Sequence, residues 1–205
     1  MKLFNQLALA TVLAASVITS RAALADDKAA AADKAAADKA ATADSIVVLA
    51  KHTPDKPTDP VQVRFEKFKV TKATFDPKKV EGGKATIEID ATSLKSGDDK
   101  RDAHLNTADF LDTAKFAKIT VDIDKVKKKA DKTYTAEATV KFHDVSKTYP
   151  VTFDVVETKA DSIRIKGEST FSRLDFKVGT DPKEPKAAPV QTGVTIQLQL
   201  TLKKT

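Results

Sequence analysis

Thr195-Ile196-Gln197-Leu198-Gln199-Leu200-Thr201-Leu202 alternates polar and apolar residues without a break. That is the period of a β-strand with one face in an apolar core and the other in water. The same period runs back through the chain. Ile163 and Ile165 flank Arg164. Val151, Phe153 and Val155 form another set. Ala136, Ala138, Val140 and Phe142 alternate with Thr135, Glu137, Thr139 and Lys141. Ile119, Val121 and Ile123 alternate with Thr120, Asp122 and Asp124, and Ala85, Ile87, Ile89 and Ala91 with Lys84, Thr86, Glu88 and Asp90. Residues 45–50 and 61–75 are also strand-like, and the second run changes phase at Glu66-Lys67, which predicts a bulge or bend.

About eight strands follow from this pattern, each with one apolar face. Strands buried on both sides would instead read as unbroken apolar runs, so the sheet is antiparallel. Short connections at residues 125–132 and 142–147 predict hairpins. An antiparallel sheet with one buried face must curl into a barrel or stack as a sandwich, so the class is all-β. A closed barrel of about eight strands is either filled by its own side chains or can enclose one elongated small molecule, and the alternation is the same in both. The small pair Ala136 and Ala138 adds space inside.

Residues 98–116 break the alternation and predict one or two short helices, sized to cap one end of a barrel. Asp98 or Asp99 can cap the first and Thr107 a second, because their side-chain oxygens can accept from first-turn backbone N–H groups. Leu105, Ala108 and Leu111 make its apolar stripe. Residues 177–189 hold three of the eight prolines and form a loop.

The N-terminus has a different character. Lys2, then a mostly apolar run to Ile18, then Ala23-Leu24-Ala25, matches a secretory signal in residues 1–25, with cleavage after Ala25. The expected location is periplasmic or secreted, which argues against a nucleic-acid partner. Residues 26–44, rich in Ala, Lys and Asp, make a low-complexity tether, and the folded domain is expected over 45–205.

Composition removes most chemistry. The 205 residues contain no cysteine, which excludes thiol nucleophiles, thiolate metal sites and disulfides. The three histidines, His52, His104 and His143, lie far apart in sequence and show no ligand spacing, so no metal is expected. Six glycines include no phosphate loop, and no G-x-S-x-G elbow is present. The expectation is a non-enzyme without a cofactor. Thirty-five Lys and Arg against 29 Asp and Glu leave a net charge of +6, too mild for a dedicated nucleic-acid binder. The cluster Lys125, Lys127, Lys128, Lys129 and Lys132 on a predicted hairpin is either a solvated turn or a weak contact for anionic lipid head groups.

Arg101-Asp102-Ala103-His104-Leu105, then Ala108-Asp109-Phe110-Leu111-Asp112 and Lys115-Phe116, resembles the R-D-x-H-L … D-F pattern of the YceI-like proteins. Four further stretches are similar in the right order: Ala50-Lys51-His52; Arg64-Phe65-Glu66-Lys67-Phe68 ending at Phe75-Asp76; Lys147 to Val151; and Arg173-Leu174-Asp175-Phe176. The tether occupies the place of the family's tryptophan-containing first strand, Ala117 replaces a common proline, Val63 and Lys177 replace common glycines, and Tyr149 is inserted before Pro150.

The resemblance implies an exported lipocalin-like barrel that sequesters or carries an isoprenoid or quinone-type lipid without covalent chemistry. The alternative is a structural or interaction protein whose barrel is filled by its own side chains; an exported enzyme is the least favoured. The candidate ligand-binding residues are Phe65, Phe142, Phe153, Leu198 and Leu200 inside, with Arg101 and His104 at the lid. Arg101 either meets a phosphate or quinone oxygen through its forked guanidinium or bonds to Asp102, Asp109 or a carbonyl to fix the lid. Arg173 and Asp175 are expected to form a structural ion pair.

Overall fold

A computed structural model describes residues 43–185 and 189–205. The expected signal and nearly all of the tether lie outside these residues. Among the described residues ten strands are present: β1 (Ser45–Ala50), β2 (Val61–Phe65), β3 (Phe68–Asp76), β4 (Lys79–Asp90), β5 (Leu94–Lys95), β6 (Lys118–Lys128), β7 (Thr133–Phe142), β8 (Val145–Thr158), β9 (Ser162–Ser172) and β10 (Gly193–Lys203). One helix, α1 (Asp99–Leu105), and two short 3-10 turns interrupt them. All pair antiparallel in one sheet, in the order β3-β4-β6-β7-β8-β9-β10-β1-β2-β5.

The sheet begins with β3 and reaches β2 beside its other margin, and these two strands are halves of one run broken only at Glu66-Lys67. The phase change in the sequence is therefore the corner that closes the barrel. A 3-10 turn, Ala91–Ser93, holds it: the Glu66 N–H donates to the Ser93 carbonyl, the Lys67 N–H to Ser93 Oγ, and the Asp90 N–H to the Lys67 carbonyl. At the other end of β3 the chain terminus completes the circuit, with the Thr205 N–H donating to the Ala73 carbonyl.

The expected eight strands become ten because the corner splits one strand and the two-residue β5 forms beyond it. The expected turn at 125–132 is also shorter. Lys125 sits at φ 53 in a bulge inside β6, and only residues 129–132 separate β6 from β7. The β7–β8 hairpin turns on two residues, His143 (φ 51) and Asp144 (φ 58), the left-handed pair that matches strand twist.

One helix caps the barrel. Asp98 caps it, its Oδ1 accepting from the N–H groups of Lys100 and Arg101. No second helix follows, which corrects the expectation at Thr107. Its hydroxyl donates back to the His104 carbonyl, and the chain continues as linked turns through Asp112 at φ 41, a conformation no helix accommodates. The expected stripe changes too: Ala108 is exposed, and Phe110 is buried in its stead.

Candidate functional site

The inward faces differ along the barrel axis. Leu200, Ile163 and Leu94 are fully buried. Val48, Ile119, Val121, Ile123, Val151, Ile196 and Leu198 also belong to the core, yet they are only partly buried. A residue on the inner face of a barrel that still retains accessible surface faces a hollow. The hollow is a cavity of about 570 Å3, lined almost wholly by apolar atoms contributed from strands around the ring. Small side chains leave room for it: Ala85 and Ala138, both on the wall, add little bulk. Ala136 is buried in the packed core behind it.

All seven residues singled out in the sequence stand on this wall: Phe65, Phe142, Phe153, Leu198, Leu200, Arg101 and His104. They play different parts. Phe65, Phe142 and Leu200 are buried in the wall, and Phe153 stacks on Tyr134 with ring centroids 5.7 Å apart. Leu198 presents part of its surface to the hollow.

Polar groups gather at the end bearing α1. Lys51, His52, Lys56, Arg101 and His104 all border the cavity there. Arg101 bonds to neither Asp102 nor Asp109; its closest charged partner is Asp98, with Nη2 4.0 Å from Oδ2, and 42% of its side chain remains exposed. His104 packs edge-on against Phe110 at 5.0 Å, its Nε2 lying 3.8 Å from Asp109. Asp102, its neighbour in the motif, instead fastens the helix. Its Oδ1 accepts from the N–H and hydroxyl of Ser96, and Lys95 Nζ lies 3.6 Å from Oδ2. Burial pushes the Asp102 carboxyl up, but these bonds outweigh it and hold its pKa below the ordinary value.

Two loops frame this mouth. In the first, Asp59 Oδ2 accepts from the N–H groups of His52 and Lys56, and Oδ1 lies 2.6 Å from His52 Nδ1. Burial raises the Asp59 pKa, yet the bonds from Lys56 and His52 bring it down to about 2. A carboxylate with a depressed pKa holds its loop above its ordinary value near ~3.9 and releases it as pH falls toward that lower value. Protection of the His52 and Lys56 amides against hydrogen exchange, taken relative to the intrinsic rate at each pH, is therefore expected to fall between about pH 4 and 2, and an Asp59→Asn variant is expected to show the lower protection already at neutral pH.

The second loop is held by Arg173. The expected pair with Asp175 does not form. Arg173 is 5% exposed and donates to four backbone carbonyls, those of Gln191, Val178, Thr180 and Val190. Asp175 takes Lys147 and the Tyr149 hydroxyl instead. Gly179 (φ 70) lets the loop approach, since a Cβ there would stand 2.6 Å from Arg173 Nη1.

Several wall residues were not anticipated. Tyr149 stacks on Phe171 at 5.2 Å and, with Phe176, lines the α1 end. Its insertion before Pro150 was visible in the sequence; its aromatic partners were not. Phe110, Val178 and Val190 complete the rim. His143 is buried on the turn, its Nε2 2.7 Å from the Leu111 carbonyl. A carbonyl only accepts, so this nitrogen carries the proton and ties the segment after α1 to the β7–β8 hairpin. Among the described residues no group of three potential ligands converges to hold a metal ion.

A family model described as the YceI-like domain matches residues 36–202. The protein YceI of Escherichia coli O6:H1 is 41% identical over 58 residues, which is 28% of this chain and 30% of that protein. A UPF0312 protein of Shewanella denitrificans is 45% identical over 53 residues, or 26% and 27% of the two chains. The matched stretch thus spans under a third of the length of these curated relatives. Among solved structures, BcnA of Burkholderia cenocepacia superposes with a TM-score of 0.68 at 21% identity, covering 78% of this chain and 96% of that one. A polyisoprenoid binding domain from Saccharophagus degradans gives 0.61 at 17% identity, covering 80% and 95%. At such identities the likeness concerns the fold.

Proposed function

This chain belongs to the YceI-like domain family, and on that premise we propose that it is a lipid-binding protein that sequesters or carries a long apolar tail of the isoprenoid or quinone type. The observation that carries the reading is the hollow itself, about 570 Å3 with apolar walls, within the roughly 300–1,000 Å3 typical of ligand pockets. A branched hydrocarbon tail gains roughly 25 cal/mol for each Å2 it withdraws from water, and this wall asks for no polar partner in return. The polar end of the tail rests at the α1 end, where Arg101, His104 and Lys56 supply donors. The likeness to a polyisoprenoid binding domain supports the same class of ligand. Binding of this kind needs no covalent chemistry and no cofactor. Export through the N-terminal signal, to the periplasm or beyond, would put such a carrier among envelope lipids.

Native mass spectrometry and organic extraction of the purified protein test this. A tightly held lipid of prenyl or quinone type is expected to co-purify, or to be taken up when supplied. Protein that is clean and refuses added prenyl lipid would leave the self-filled structural barrel as the better account.

A further inference from the structure

The barrel is electrically polarised along its axis. Antiparallel connectivity places the turn between β6 and β7 at one end and the His143-Asp144 hairpin, bonded to Leu111 beyond α1, at the other. Ten-residue β7 separates them by roughly 30 Å. The segments at the far end, residues 76–79, 125–132, 157–161 and 203–205, carry ten lysines and four acidic side chains. The described segments at the α1 end, residues 51–60, 66–67, 91–117, 143–144, 173–185 and 189–192, carry ten basic and twelve acidic ones. The chain's excess of positive charge is thus concentrated opposite the mouth.

The far lysines are also available. Among the described residues Lys125 is engaged by Glu137 and Lys159 by Glu157. Lys78, Lys79, Lys127, Lys128, Lys129, Lys132, Lys203 and Lys204 form no ion pair with any described residue, and residues 127–129 and 132 are all exposed.

We propose that this lysine rim docks the barrel on an anionic lipid surface, leaving the α1 mouth on the opposite side. The chemistry of the rim selects that partner. Its cations are all lysines, point charges suited to a diffuse field, with no arginine fork for phosphate or base edges. At this end Phe75 and Phe153 are buried and the half-buried Tyr134 is stacked on Phe153, which leaves no row of exposed aromatics for successive bases. A protein partner would need a cluster of apolar anchors at the centre of its contact, and among the described residues this end exposes a single large apolar side chain, Val156, at 49%. A ring of turns bearing unpaired charge matches a plane of opposite charge. The inference stands apart from the cavity reading, because docking is measured with no lipid cargo required.

Co-sedimentation of the purified protein with vesicles of phosphatidylglycerol and phosphatidylcholine, against vesicles of phosphatidylcholine alone, tests it. Binding is expected to the anionic vesicles only and to fall as salt rises. Each lysine at such a surface strengthens partition about fivefold, so Lys127→Glu, Lys128→Glu and Lys129→Glu together are expected to weaken it about a hundredfold or more. The triple change Lys100→Glu, Lys115→Glu and Lys183→Glu removes the same charge at the α1 end and is expected to leave binding within a few fold. Equal losses in the two triple variants would show only a net-charge effect and overturn the proposal. So would binding indifferent to phosphatidylglycerol, or a stronger hold on duplex DNA than on the vesicles.

Discussion

Replacing Arg173 with alanine is expected to lower the free energy of unfolding by about 3–5 kcal/mol, the range for removing one side of a buried charged network. The change strands four carbonyls, those of Gln191, Val178, Thr180 and Val190, which accept from no other side chain among the described residues. Urea denaturation should show the midpoint falling at unchanged slope. Arg173→Lys is expected to fall between wild type and alanine, because an ammonium cannot reach four acceptors spread around a planar fork. A loss below about 1 kcal/mol for Arg173→Ala would mean that the backbone at Val178, Thr180, Val190 and Gln191 is held by something else.

Filling the hollow should separate binding from stability. Ala138 lies on the wall in the middle of β7, opposite Ile123 on β6 and Tyr149 on β8. An Ala138→Phe side chain would project into the cavity where a tail would lie. If it displaces about 100 Å2 of tail contact, the cost is about 2.5 kcal/mol, or close to a hundredfold in affinity. The fold has room for the ring, so stability is expected to change by less than about 1.5 kcal/mol. Prenyl-lipid uptake followed by native mass spectrometry, alongside thermal unfolding, reads both quantities. Undiminished uptake by a folded Ala138→Phe protein would place the ligand outside this cavity.

The strands were legible because one face of each meets water and the other does not, and that contrast is written in the order of residues. The bend at Glu66-Lys67 was legible for the same reason, as an alternation that slips by one. The hollow was not. Leu198 and Leu200 are identical in kind and spacing, yet one faces open space and the other is sealed within the wall. That difference arises from the size of residues across the ring, including Ala85 and Ala138, which no local window contains. Arg173 shows the same limit. Its nearest acid in sequence, Asp175, suggested an ion pair, whereas its real partners are carbonyls brought in by a loop that folds back from as far as Gln191. Asp102 and Arg101, adjacent in the motif, divide between an anchor and a rim group because successive helical positions face different ways. Thr107 looked like a cap because its residue type suits one, and only the left-handed Asp112 reveals that no helix follows it.

At Glu66-Lys67 the ring is joined by a covalent elbow, not by a zipper of hydrogen bonds. Prising the two margins apart at that point would mean stretching peptide bonds, so the cylinder has no door in its side there. On the lipid-binding reading, a guest taken in at the α1 end would go greasy tip first, its wet end the last part in and the first part out.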